Sequence, residues 1–316
     1  MKKYTFLVAV MFALIIGIAS IGNTSIFRSN NRQSNGIVTS AKAGLNIGGD
    51  LRYRYEDMKD DNEEARNQVR ARIRLNAYLD NGFTFGLQLN SYDYTLGTDD
   101  PENITLDRAY FGYQNGGLRV KGGRMPNPFY TPGNSELLWD NDYNPEGLTA
   151  GYYVNFNNLR LTATVAQIQD NDFTGEDQDT YGGQITAITE VLNMDIKLGT
   201  GYYSVEDTDV EYRQYFAEIK SFFILPVTVY GDYSKSNGRE GYTLGSITEL
   251  SDALSVDYAY TDIETESVME STDTDIYDHK FGVNYALASN VIGNVTLFTN
   301  EEIDLNRYQV NLILEF

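Results

Sequence analysis

"QVRARIRLNAYLD", Gln68 to Asp80, sorts its side chains into two sets. Val69, Ala71, Ile73, Leu75, Ala77 and Leu79 take one set of alternate positions, and Arg70, Arg72, Arg74, Asn76 and Tyr78 take the other. A strand sends successive side chains to opposite faces, whereas a helix would scatter both sets around its circumference. The stretch therefore predicts a strand with one apolar and one cationic face. Three arginines at i, i+2 and i+4 repel one another unless they stand in water or opposite acids. On a soluble sheet such a ladder is simply a solvated face, so its meaning depends on the rest of the chain.

The same alternation runs outward to both ends. In "GLNIGGDLRYRYE", Leu45, Ile47, Leu51, Tyr53 and Tyr55 oppose Asn46, Asp50, Arg52, Arg54 and Glu56. In the last segment Tyr308, Val310, Leu312, Leu314 and Phe316 oppose Arg307, Gln309, Asn311 and Glu315, with Ile313 the exception. About sixteen such segments follow one another, each roughly the 9 to 11 residues that a tilted membrane-crossing strand needs. Their links alternate in kind. Tight links such as Asn81-Gly82, Asn115-Gly116-Gly117, Asn157-Asn158 and Ser289-Asn290 follow the even strands. Longer acidic links follow the odd ones: "DMKDDNEEARN", "GTDDPEN", "DNDFTGEDQ", "EDTDVE", "KSNGRE", "ETESVMESTDTD" and "NEEID".

A soluble sandwich has no reason to gather its short turns at one end. A transmembrane antiparallel β-barrel of about 16 strands does, with short turns on one side, long loops on the other and an even strand count. Closure also satisfies every backbone hydrogen bond in lipid. An apolar outer face and a polar inner face then account for a membrane protein whose mean hydropathy is −0.39. Tyr53, Tyr55, Tyr152, Tyr202, Tyr233, Tyr258 and Tyr308 fall near strand ends on the expected outer face, where an aromatic girdle would lie. Tyr78, Tyr110, Tyr153 and Tyr203 fall on the inner one.

The N-terminus reads as an export signal: Lys2 and Lys3 precede an apolar run from Phe6 to Ile21. A polar stretch follows, ending in the small-x-small sequence Ala41-Lys42-Ala43, with cleavage near Ala19 as the rival and an uncleaved anchor as a third reading. Residues 1–43 are taken as signal and processed segment, and residues 44–316 as the barrel. The first 43 residues carry five basic and no acidic side chains, so their removal takes the formal charge from −21 to −26. So acidic a balance argues against nucleic acid as a partner, because phosphate neutralisation needs a cationic surface. Its surroundings are expected to be the outer membrane of a Gram-negative-type bacterium, with lipid and lipopolysaccharide as partners.

One stretch interrupts the pattern. "GRMPNPFYTPGNSELLWDNDYNPEG", Gly123 to Gly147, holds the only tryptophan and four of the six prolines. Proline lacks the donor that a central strand needs, so pairing should stop there. The stretch joins the fifth strand to the sixth and is the third of the long loops. Leu137, Leu138 and Trp139 are expected to pack it against the barrel, with Glu136, Asp140 and Asp142 towards water. Strand phase turns Arg52, Arg54, Arg70, Arg72, Arg74, Arg108, Arg119 and Lys121 to the interior, where they would form a basic wall.

"GGDLRYRYE", "RARIRL", "GRMPNPF", "LLWDNDYNPEGL" and the terminal phenylalanine together resemble the bacterial putative-porin family. The resemblance covers nearly all of residues 44–316 and is most specific over residues 123–148. It implies an outer-membrane barrel of general-porin design whose third long loop folds inward, with Glu136, Trp139, Asp140 and Asp142 at a constriction facing the arginine wall. The implied activity is passive diffusion of ions and small hydrophilic solutes, in a possible homotrimer. Phe316 resembles the terminal signal by which the barrel-assembly machinery recognises its substrates.

Other classes fit less of the sequence. The single histidine, His279, lies between Asp278 and Lys280 with no serine motif, so no catalytic residue is assigned and the chain is not read as an enzyme. No metal ligand set or cofactor motif stands out, and the glycine pairs lack the strand-to-helix setting of a phosphate loop. A substrate-specific sugar or anion channel is the nearer alternative. A secreted all-β adhesin or carbohydrate-binding protein would explain the signal and the tyrosines but neither the asymmetry of the links nor Phe316.

Overall fold

The computed structural model describes residues 44–59, 65–97, 104–170, 178–206, 208–264, 277–300 and 305–316. The expected leader and most of the acidic links lie outside these residues. The strands are β1 (Gly44–Lys59), β2 (Arg66–Tyr78), β3 (Phe83–Asn90), β4 (Tyr94–Thr95), β5 (Thr105–Asn115), β6 (Leu118–Arg124), β7 (Glu146–Phe156) and β8 (Leu159–Asp170). They continue as β9 (Gln178–Val191), β10 (Met194–Val205), β11 (Glu211–Ser221), β12 (Val227–Ser236), β13 (Arg239–Glu249), β14 (Leu254–Ile263), β15 (His279–Ala288), β16 (Val291–Asn300) and β17 (Leu305–Glu315). Sixteen are full strands. The two-residue β4 is an addition, paired to Gln68 and Val69 of β2.

Every full strand pairs antiparallel with its sequence neighbours, and β1 pairs with both β2 and β17, which closes the sheet into a barrel. At the seam Leu51 faces Leu314, Tyr53 faces Leu312 and Arg54 faces Asn311. The final residue takes part: Gly49 N–H donates to Phe316 O at 2.9 Å, and Phe316 N–H donates to Gly49 O at 3.1 Å. With no open edge, backbone pairing is satisfied within the sheet.

The two faces differ as the alternation requires. Ile73, Phe85, Phe111, Leu198, Val229, Leu244, Phe281, Val295 and Leu312 are exposed large apolar side chains on the outer face. Such a surface is stable only against lipid. Buried polar groups such as Asp50, Arg52, Arg70, Gln88, Gln214, Asp232 and Gln309 stand on the inner face. Tyr53, Tyr55 and Tyr308 are exposed on the outer face.

The links after β2, β5, β7, β9, β11, β13 and β15 are short. Three expected long links are not long: those between β10 and β11 (206–210) and between β16 and β17 (301–304) do not exceed the short link 222–226, and the third is tighter still. "KSNGRE" between β12 and β13 is a two-residue turn at Asn237-Gly238, because both residues take positive φ, 48° and 85°. That is the backbone of a type I′ hairpin, which Asn-Gly supplies at little cost. Its charged neighbours Lys235 and Glu240 are strand residues that pair with each other at 2.5 Å.

The apolar core does not lie in the sheet alone. Trp139, Met125, Leu137 and Leu138, among the largest fully buried side chains, all come from the long segment between β6 and β7.

Candidate functional site

The arginine ladder sits where β1 and β2 run side by side. Arg52 is directly paired with Arg70 and Asp50 with Arg72. Like charges placed opposite each other are destabilising, so counter-ions decide whether this wall can form. Asp50, 2% exposed, accepts from Arg72 Nε at 3.0 Å and also pairs with Arg74. Arg74 Nε donates to Gln88 at 2.9 Å. Arg52 reaches Asp93 at 2.5 Å, and Arg54 Nη1 lies 3.7 Å from Asp93 and 3.9 Å from Glu56. Glu56, 1% exposed, also pairs with Arg66 and accepts from Arg307 Nε at 2.9 Å and Gln309 Nε2 at 2.5 Å. The wall is therefore a set of compensated charges, each burying its partner's cost.

The long segment leaves β6 after Met125 N–H donates to Pro145 O at 2.9 Å. Pro126 and Pro128 offer no donor, so the ladder ends there. The segment then meets the barrel wall at three places. At the first, Trp139 stacks on Phe129 and Tyr143 at centroid distances of 5.3 and 5.5 Å, with the Tyr203 ring edge-on at 5.1 Å. Ala166 and Ile168 of β8, Val205 of β10 and Tyr212 of β11 complete this cluster with Leu138. Aromatic pairs of this kind are each worth about 1 kcal/mol beyond the area they bury.

At the second place, Tyr130 exchanges two hydrogen bonds with the Gln184 amide of β9, at 2.8 and 2.9 Å. Its hydroxyl donates to Glu218 Oε2 of β11 at 2.5 Å, and the same oxygen accepts Gly133 N–H at 2.8 Å. Lys197 of β10 donates to Glu218 Oε1 at 2.7 Å and to Tyr130 Oη at 3.0 Å. Burial and the Glu218 charge both push the Tyr130 pKa up, so the phenol remains a donor. Gly133 has φ 56°, and a side chain there would run into the Tyr230 ring of β12. Glycine is required on both counts.

At the third place, Asp142 meets the ladder. Arg70 Nη1 donates to Asp142 Oδ2 at 3.1 Å, and Arg72 Nη1 donates to Oδ1 at 3.4 Å. Asp140 Oδ1 accepts Asp142 N–H at 2.6 Å and so shapes the turn that presents it. Beside them Arg108 Nε donates to Asn144 Oδ1 at 2.6 Å, while Asn144 Nδ2 donates to Asp107 at 3.0 Å. Loss of surrounding water works to raise the Asp142 pKa, but the charges of Arg70, Arg72 and Arg52 outweigh it and hold the carboxyl below the ordinary aspartate value. Glu136 points elsewhere: it lies 3.8 Å from Lys280 of β15 and accepts from Asn141 at 2.7 Å.

Of the residues singled out in the sequence, the structure brings Arg52, Arg54, Arg70, Arg72, Arg74 and Asp142 into one network, with Arg108 joined to the segment through Asn144. Asp140 supports that network from behind. Trp139 is 1% exposed under the segment, with Leu137 and Leu138, and Glu136 faces β15. Arg119 and Lys121 stand apart, Arg119 next to the short link and Lys121 midway along β6. Tyr203 is 0% exposed beneath Trp139 and does not join Tyr78, Tyr110 and Tyr153. His279 lies on the outer face, stacked between Tyr258 and Tyr260. Sequence reading missed the counter-ions. Asp50 and Glu56 share the parity of Arg52 and Arg54, so that signal was present. Asp107 had no such signal, because a register shift opposite Gln88 and Leu89 turns it inward beside Arg108.

Residues 22–222, nearly two thirds of the chain, match the profile of a family described as putative porins. The chain belongs to that family. Its barrel superposes on variants of the porin of Rhodopseudomonas blastica: a triple mutant at a TM-score of 0.58 and 16% identity, and two others at 0.58 and 0.57 with 17% and 15%. In each case 86% of this chain and all of the other are covered. At such identities the likeness shows the fold of this porin-family chain and nothing finer. No curated protein matches it.

Proposed function

We propose that the protein is an outer-membrane channel for passive diffusion of ions and small hydrophilic solutes, narrowed by the segment between β6 and β7. The observation that carries this reading is the pair of contacts from that one segment. Asp142 meets Arg70 and Arg72 of β2, while Tyr130 and Gly133 meet Glu218 of β11. These wall residues stand on the interior face of strands well separated around the barrel, so the segment spans the interior between them. The Asp142 carboxylate and the guanidinium groups it meets then border the narrowed passage together, and their field selects by charge and orients dipolar solutes. The family and the barrel imply an outer-membrane setting, and assembly as a trimer fits the same fold.

Purified protein in a planar bilayer is expected to give stepwise conductance that rises with salt. A barrel that shows heat-modifiable migration on a gel yet never conducts sinks this reading. The nearer alternative is a channel specific for anions or sugars, and reversal potentials with competing solutes separate it from general diffusion. The barrel-assembly machinery as partner rests on Phe316, and removing that residue should lower the yield of folded barrel.

A further inference from the structure

The basic residues inside the barrel fall into two electrostatic kinds. The ladder on β1 and β2 is matched by Asp50, Glu56, Asp93 and Asp142. Arg119, Lys121 and Arg160 are not matched. None of the three has a carboxylate within 4.0 Å among the described residues. Arg119 stands between Lys121, two residues along β6, and Arg160, on the other side of the Tyr153 ring. Arg119 and Arg160 thus flank one aromatic ring, with Lys121 beside Arg119 on β6, and no carboxylate is paired with any of the three among the described residues.

Their neighbours are aromatic and amide groups. The guanidinium groups of Arg119 on β6 and Arg160 on β8 approach the Tyr153 ring of β7 from the strands on either side, at 5.3 and 5.2 Å from its centre. The Lys121 ammonium lies 5.3 Å from the centre of the Tyr110 ring. Arg160 Nε donates to Asn155 at 2.9 Å. These contacts hold the cations in place without neutralising them, since an aromatic face attracts a cation but carries no charge. All three side chains are only partly buried, and Arg119 Nε is a buried donor with no hydrogen-bond partner.

The place is distinct from the long segment. Arg119 and Arg160 are the second residues of β6 and β8, next to the short links at Gly116-Gly117 and Asn157-Asn158. Along β6, Arg119 lies five residues from Arg124, where the segment departs, or about 17 Å at the rise of a strand.

We propose that Arg119 and Arg160, which share the Tyr153 ring, form a binding subsite for a small oxyanion, of phosphate or carboxylate type, at the short-link end of the interior, with Lys121 two residues along β6 adding to its field. Two guanidinium forks supply charge-assisted donors matched to such a group, and the nearby Lys121 ammonium adds to the attraction. The inference rests on the reading of the barrel as an open channel. An anion that has passed the compensated ladder is held by uncompensated charge, so this cluster gives the channel its preference among anions.

Inorganic phosphate is the probe. In a planar bilayer with chloride as carrier at low ionic strength, added phosphate should reduce the current saturably. R119Q/R160Q should raise the half-saturating concentration at least about tenfold, and K121M should raise it alone. Lys220 of β11, also near a short link but paired with Glu249 at 2.6 Å, supplies the control: K220Q should stay within about twofold of the parent. No saturation in the parent, or an equal change in K220Q, overturns the subsite. Should the folded barrel never conduct, the channel reading fails instead. Phosphate titration of the detergent-solubilised barrel by calorimetry then decides: binding lost in R119Q/R160Q supports the subsite, and absence of binding overturns it. Heat-modifiable migration of each variant confirms that it has folded.

Discussion

Asp142 Oδ2 lies 3.1 Å from Arg70 Nη1, although 72 residues separate the two in sequence. The contact joins the proline-stiffened segment to a strand from which three others, β3, β5 and β6, divide it. Arg70 is nearly buried while Asp142 keeps 65% of its side chain open to water, so the pair gains little in stability, about 0.5–1 kcal/mol after screening. Its consequence is electrostatic and local.

Replacement of Asp142 by Asn should therefore leave the barrel folded and change its ion preference. Without that carboxylate, Arg70 and Arg72 lose one of their counter-ions, and the passage becomes more attractive to anions. Reversal potentials in a salt gradient should show the anion-to-cation permeability ratio rising by about two- to fivefold, the factor that corresponds to about 0.5–1 kcal/mol. An unchanged ratio would place Asp142 outside the conducting path.

The opposite change is expected from R70A/R72A/R74A. Removal of the ladder leaves Asp50 and Asp142 without their guanidinium partners, and the reversal potential should move towards cation preference. Unlike the D142N change, this one also carries a cost in stability, because Asp50 is 2% exposed and breaking a buried pair costs about 3 kcal/mol or more. The variant should unfold at lower denaturant than the parent, as read by loss of heat-modifiable migration.

Acid should act on the same contact with a definite sign. The folded pKa of Asp142 lies below its unfolded value, so the stabilisation is present above the ordinary aspartate value of about 4 and is lost as pH falls through the lowered one. Between pH 8 and 5, Asp142 should contribute no change in selectivity. Below pH 4, the parent should move towards the anion preference of D142N, and D142N itself should move less. Equal acid shifts in the two proteins would remove Asp142 from this account.

The fold was legible in the chain because side-chain alternation is a property of single strands. Tyr53, Arg54 and their neighbours take their faces from parity, and the seam with β17 only adds their partners. The same parity marked Asp50 and Glu56 as companions of the arginines. Contacts between distant segments left no such trace. Tyr130 and Glu218 are 88 residues apart, and nothing in either local sequence pairs them. The Asn237-Gly238 turn shows a different failure: acids and lysine around a link were read as loop, although the dipeptide itself specified a hairpin. Asp107 escaped because a β-bulge breaks the period on which parity depends.

Trp139 tests how firmly the segment is held. Its ring stacks on Phe129 and Tyr143 and meets Tyr203 edge-on, and its side chain is 1% exposed. Truncation to alanine deletes the centre of this cluster and leaves a cavity, at a cost of about 3–5 kcal/mol. The hydrogen-bonded sheet does not depend on those contacts, so the cost falls on the segment and the strands can remain closed. W139A should fold as a barrel, become sensitive to protease within residues 125–145, and conduct with larger current and more rapid fluctuation than the parent. Trp139→Phe, which restores part of the aromatic packing, should recover much of the protection and quieten the current. If W139A resists protease and conducts like the parent, the Glu218 and Asp142 contacts alone suffice to hold the segment against the barrel wall.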